Sequence, residues 1–251
     1  MLTHIPIGPA VIPAYPFLTL LGLWAGMWLA AREGERLGID GDHFYNIGLY
    51  GFVAGLLGGR GWYVLTHWES YASAPLQALA LTANAISAPA AYLTALGVSL
   101  FYIRRYQLSL PRIADAAAFG AALGLVVGGI GAFLGSQTLG TLTALPWGVS
   151  IFGQTRHPAH LYLVIAVLLI IAILWPMRRK PHWPGFIFLL FVELYAASRL
   201  LLDPFFETHQ TIGDGFRTVQ VLALLIMVVA LTAMMQLDQR LPVDQPAQLE
   251  R

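Results

Sequence analysis

Three short constellations in this sequence carry side chains suited to handling a phosphate ester. The first is Tyr195, Arg199 and Asp203, spaced four apart. On a helix that spacing puts all three on one face. The run around them is apolar, so this polar face must look into a protein interior. Arg199 offers a planar donor fork to an anion, with Asp203 or Tyr195 to orient it. An internal Arg199–Asp203 ion pair that neutralises itself is the alternative. Glu193 lies on another face and could pair elsewhere. The second constellation is Arg60 within Gly58-Gly59-Arg60-Gly61. The glycines let another chain or a lipid phosphate come close, although an arginine near a membrane boundary can also snorkel to water. The third is Thr155-Arg156-His157-Pro158-Ala159-His160-Leu161-Tyr162. Pro158 suits a first helical turn, which places Arg156 and His157 beside a helix N-terminus that attracts anions. The same residues would also serve as a polar anchor at a membrane interface. Two histidines without a third ligand close in sequence do not make a metal site.

The elements that must hold these groups are membrane helices. Of 251 residues, 57% are hydrophobic and 11% charged, against about 25% charged in a soluble domain. So little polar surface cannot cover a soluble fold of this size, and a bilayer is the matching solvent. The net charge is +1, with no interleaving of basic and aromatic residues that would suit nucleic acid. Cysteine is absent, which excludes disulfides, thiolate metal sites and a cysteine nucleophile. No nucleotide or cofactor motif is present.

A helix crossing the hydrocarbon core needs roughly 17–25 mostly apolar residues. Seven stretches qualify: Pro16–Arg32, His43–Leu65, Ser87–Ile103, Ile113–Gly135, Pro158–Met177, Gly185–Leu202 and Phe216–Leu237. The third and fourth, rich in Ala and Gly, could be tilted, broken or re-entrant. Basic residues alternate between the connections. Arg32 and Arg36, then Arg104, Arg105 and Arg112, then Arg178, Arg179 and Lys180, then Arg240 and Arg251 mark one side. The opposite connections carry only Arg156. An all-α polytopic protein follows, with seven spans, the N-terminus outside and the C-terminus cytoplasmic. Residues 1–240 read as a single membrane domain and 241–251 as a flexible cytoplasmic tail. Met1 to Tyr15 has neither the basic n-region nor the cleavage site of a removable signal peptide. Gly51, Gly55, Gly58, Gly59 and Gly61 in the second span, and Gly120, Gly124, Gly128, Gly131 and Gly135 in the fourth, point to close helix packing or to bare backbone lining a cleft. Asp115 suits a helix N-terminus or a pair with Arg112.

On these residues the chain resembles the prolipoprotein diacylglyceryl transferase family of bacterial inner membranes, over nearly its whole length. Ile7-Gly8-Pro9 with Tyr15 is similar to the family's opening. Leu57 to Leu65 resembles its glycine-arginine segment. Arg104-Arg105 with Asp115 resembles its inner loop. Arg156-His157-Pro158 with Tyr162 resembles its Arg-His-Pro motif. Tyr195, Arg199 and an acid four residues on are similar to its sixth-helix pattern, with Asp203 where the family usually has Glu. Gln220 resembles the glutamine that opens its last helix. The resemblance implies transfer of diacylglyceryl from phosphatidylglycerol to the thiol of a lipobox cysteine, with no cofactor. Its partners would be phosphatidylglycerol, a prolipoprotein signal peptide and the bilayer. It implies Arg199, Arg60 and Arg156 as phosphate ligands, with His157, Tyr195 and Tyr15 as catalytic groups. Asp203, Tyr162, Gln220, Gly58 and Gly59 would support them.

Some family positions differ. A His-Gly-Gly segment reads Pro89-Ala90-Ala91, and a Gly-Arg-x-Gly-Asn segment reads Gly128-Gly129-Ile130-Gly131-Ala132. An expected glutamate reads Gln137 and a histidine reads Pro13. Two further expectations therefore stand beside the transferase: a catalytically silent paralogue that binds phospholipid or a membrane partner, and a small-solute transporter.

Overall fold

The computed structural model describes residues 4–7, 10–73, 75–80, 85–207, 211–212 and 215–239. The expected tail at 241–251, Gly8 and Pro9 of the opening, and Arg240 and Arg251 lie outside the described residues. The helices are α1 (Ala14–Arg36), α2 (Asp42–Thr66), the short α3 (Trp68–Tyr71), α4 (Ala88–Arg105), α5 (Leu110–Leu134), α6 (Ala159–Met177), α7 (Phe186–Leu202) and α8 (Thr218–Asp238). Each of the seven stretches expected to be helical contains one continuous helix of this set, including the Ala- and Gly-rich α4 and α5, though the last begins at Thr218 rather than Phe216. Four of them, α1, α5, α6 and α8, are long and apolar enough to cross a membrane. In the others the apolar content or the length falls short. Asp42, His43, Asn46 and Arg60 interrupt α2, Arg104 and Arg105 end α4, and α7 has 17 residues that include Glu193 and Arg199.

Three antiparallel hairpins depart from an all-helical expectation: β1 (His4–Ile7) with β2 (Ala10–Pro13), β3 (Val149–Ile151) with β4 (Gln154–Arg156), and β5 (Thr211–Ile212) with β6 (Phe216–Arg217). They are too short to show as alternating sequence. The middle one is recognisable by its turn. Phe152 and Gly153 both have positive φ, 51° and 77°, the backbone of a two-residue hairpin whose twist matches its strands.

Glycine decides which helices meet. Gly22 and Gly26 of α1 lie against Gly124 and Gly120 of α5, and a Cβ on Gly26 would come 2.6 Å from the Gly120 carbonyl oxygen. No side chain fits there, so the antiparallel pair packs backbone to backbone, as small-residue helices do in lipid. Gly51, Gly55, Gly58 and Gly59 of α2 face Ser99, Ala95, Ala91, Thr94 and Ile86 in and just before α4. Helix α5 is the most enclosed. Its Ala118, Phe119, Ala122 and Val126 form one core with Val164, Val167, Ile170 and Leu174 of α6 and Ile187 and Phe191 of α7. Helix α8 buries only Ala223 and Ala230, and its Leu222, Leu224, Leu225, Val228 and Val229 are exposed. Such an apolar outer surface belongs against lipid.

The short connections close one end of the bundle with buried charge. Glu33, 4% exposed, accepts from Arg36 and Arg178 at 2.7 Å each, and the Arg178 guanidinium lies 3.5 Å over the Trp175 ring. Asp115 accepts from the backbone N–H groups of Gly185 at 2.6 Å and Phe188 at 2.9 Å. The helix N-terminus it serves is thus that of α7, not its own.

Candidate functional site

The longer connections gather at the opposite end and are stitched together there. Thr141 N–H donates to the Phe205 carbonyl, Glu207 N–H to Leu139, and His157 N–H to Thr141, each at 2.9 Å. Arg156, 8% exposed, ends β4. One of its terminal nitrogens donates to the Gly140 carbonyl at 3.1 Å and to Glu207 at 2.6 Å, the other to the Gln154 side chain. Its Nε is buried without a partner among the described residues. Arg156 therefore ties the connection from α5 to α6 together and joins it to the connection from α7 to α8.

His157 follows, and Pro158 caps α6. The Trp147 indole donates to the Tyr162 hydroxyl at 2.9 Å, and that hydroxyl lies 3.1 Å from His157 Nδ1. An indole N–H can only donate, so the Tyr162 oxygen accepts it and retains a second lone pair. When His157 carries its proton on Nδ1 and donates to that lone pair, the Nε2 lone pair is open, the form a base requires. Phe205 stands edge-on to both rings, 4.9 Å from His157 and 5.5 Å from Tyr162.

Tyr195, Arg199 and Asp203 do share one face at the end of α7. Tyr195 stacks on Phe191 at 14° between ring planes. Arg199 Nη2 stands 3.8 Å from the Asp203 carboxylate, an ion-pair distance too long for a hydrogen bond. Its guanidinium lies 5.0 Å over the Phe206 ring. Arg199 makes no hydrogen bond among the described residues. His160 packs edge-on against the same Phe206 ring at 5.2 Å, with Nε2 buried and unpartnered among the described residues.

Asp203, 2% exposed, is held instead by Arg217, which donates to its carbonyl at 2.9 Å and approaches its carboxylate at 3.5 Å. Arg217 is a site residue that sequence reasoning passes over. Starting the last span at Phe216 takes Arg217 into it, so the connection before it reads as free of cations. Phe205 and Phe206, which order the two histidines and Arg199, gave no signal beyond an aromatic pair.

Arg60 stands apart from this cluster. It is 6% exposed and donates to the carbonyls of Gln77, Ala78 and Ala85 at 2.9–3.0 Å, with Tyr71 against its guanidinium. All four partners lie in the connection from α2 to α4, so its donors serve that connection and not a centre shared with Arg156 and Arg199. Gly58 and Gly59 of α2 pack against α4 and the residues just before it; a Cβ on Gly59 would come 2.8–3.0 Å from Ile86, Ala91 and Ser87. Tyr15 packs against Gly131 and Gly135 at the end of α5. Gln220 ties α8 to α7 through the Leu200 carbonyl at 3.2 Å. Where the resemblance expects an arginine and an asparagine, a Cβ on Gly129 would come 2.7 Å from the Val164 side chain, and Ala132 is buried. Among the described residues no group of three His, Asp or Glu could hold a metal ion.

The prolipoprotein diacylglyceryl transferase family model matches residues 2–236. The chain is 26% identical over 239 residues to the phosphatidylglycerol–prolipoprotein diacylglyceryl transferase of Shouchella clausii, covering 90% of this chain and 86% of that protein. It is 31% identical over 228 residues to the transferase of that name numbered 2 in Streptomyces coelicolor, covering 82% and 70%. It is 29% identical over 212 residues to the one in Pseudoalteromonas atlantica, covering 82% and 76%.

Proposed function

Because this chain belongs to the prolipoprotein diacylglyceryl transferase family, we propose that it transfers the diacylglyceryl group of phosphatidylglycerol to the thiol of a lipobox cysteine in a prolipoprotein. The thiolate attacks the glycerol carbon that bears the phosphate. A carbon–sulfur bond forms, the carbon–oxygen bond to phosphate breaks, and glycerol phosphate leaves with the electron pair. The step needs a cation for the phosphate, a base for the thiol and no cofactor.

The observation that carries this reading is Arg199, a guanidinium that makes no hydrogen bond among the described residues and shares the Phe206 ring with His160 at the looped end of the bundle. Arg199 is the principal phosphate ligand. His157, oriented by Tyr162, takes the thiol proton. Tyr195 and Tyr15 flank the reacting group, and Asp203 and Gln220 hold the end of α7 in place. Arg156 and Arg60 add positive potential while their donors fix the connecting segments. All seven long helices span a bacterial inner membrane, with the N-terminus and the looped end outside and the short basic connections in the cytoplasm.

Expression in a bacterial strain depleted of its own transferase tests the activity. Restored growth, with a diacylglyceryl mass increase on a reporter lipoprotein, is expected. No rescue by chain inserted at a normal level would reject the transferase and leave a lipid-binding paralogue. The absence of native cysteine makes topology direct to test. A membrane-impermeant maleimide should label Ser73→Cys from outside and spare Lys180→Cys.

A further inference from the structure

We infer that Arg217 is a positioning residue that keeps Arg199 available to an anionic phosphate by holding Asp203 away from it. The inference rests on the transferase reading for its ligand, but its geometry is independent of that reading. Two guanidinium groups compete for one buried carboxylate. Arg217 donates to the Asp203 carbonyl at 2.9 Å and reaches its Oδ2 at 3.5 Å, while Arg199 stays 3.8 Å from Oδ1. Oppositely charged residues four apart on a helix can pair; here Arg217 reaches the other oxygen of the acid, Oδ2, and binds its carbonyl. Two cations and one anion leave this corner with one net positive charge. An arginine that holds no hydrogen bond among the described residues, with its guanidinium over Phe206 and its side chain 24% exposed, is a ready fork for two phosphate oxygens. The position is the more consequential because the arginine that the family resemblance expects in α5 is Gly129 here, so the site has fewer cations to spare.

Without Arg217, the Asp203 carboxylate is free to close on Arg199. The sign of a double substitution separates this from a merely structural role. Arg217→Gln should weaken binding of phosphatidylglycerol in mixed micelles about tenfold, the equivalent of one charge-assisted hydrogen bond. Adding Asp203→Asn should restore it, since no carboxylate remains to compete, and Arg217→Lys should keep most of it.

A second readout needs no lipid: phenylglyoxal condenses with free guanidinium groups, and modification of Arg199 in the purified full chain is followed by mass spectrometry. Arg199 should react readily in the wild type, about tenfold more slowly in Arg217→Gln, and at the wild-type rate in the double variant. Unchanged reactivity in Arg217→Gln would overturn the inference, as would a double variant as slow as the single one. Reactivity that follows the expected pattern while phosphatidylglycerol binds to none of the proteins would sustain the positioning role and reject the transferase reading.

Discussion

Replacing Asp115 tests how the far end of the bundle sets the site. Gly185, the N-cap of α7, has φ of 96° and no side chain with which to cap the helix. Asp115 supplies the missing cap from α5 by accepting from the N-cap and third-residue N–H groups, the two donors a capping box would satisfy from within. Hydrogen bonds to a charged group contribute about 1.5–3 kcal/mol each. Removing the 3% exposed carboxylate also removes part of its desolvation cost, so Asp115→Ala should destabilise by about 2–4 kcal/mol. Asp115→Asn keeps one accepting oxygen and should lose about half as much. Arg199 lies fourteen residues beyond Gly185, about 21 Å along the helix, so a loosened start of α7 reaches the site. Reversible unfolding by SDS titration in mixed micelles gives the energies, and hydrogen exchange at the Gly185 and Phe188 amides reports the cap itself. Both amides should lose protection in the alanine variant. A change within about 0.5 kcal/mol with both amides still protected would refute the reasoning.

Gly26→Ala forces a Cβ against the Gly120 carbonyl and should cost about 1–3 kcal/mol in the same titration, whereas Gly128→Ala, with nothing within 4 Å, should stay within about 0.5 kcal/mol. Arg60→Gln gives up the bonds that hold the connection from α2 to α4, and limited proteolysis should cut between residues 67 and 87 several times faster than in wild type, with α6 to α8 unaffected.

The helices were legible because a bilayer imposes a length and an apolar composition that few other settings share. The glycine rows of α2 and α5 were legible as close packing for a similar reason, though not which helices they meet. Gly26 against Gly120 depends on a tertiary arrangement that spacing does not encode. The same holds for Asp115, whose partner is a backbone amide seventy residues away. Arg60 illustrates the other limit. Its residue type and its glycine neighbours suit a phosphate, but three carbonyls of a connection with no sequence signature take its donors. In the row of Tyr195, Arg199 and Asp203, helical spacing predicts the shared face. Whether Arg199 and Asp203 pair is decided by Arg217, fourteen residues further on and outside that helix.

The most direct measurement of the central claim is the rate at which purified chain, in phosphatidylglycerol-containing micelles, converts a lipobox-cysteine peptide to its diacylglyceryl thioether. The wild type and Arg179→Ala, changed at the exposed opposite end, should transfer at equal rates. Arg199→Ala should be slower by about a hundredfold or more. Transfer by Arg199→Ala at the wild-type rate would contradict the account.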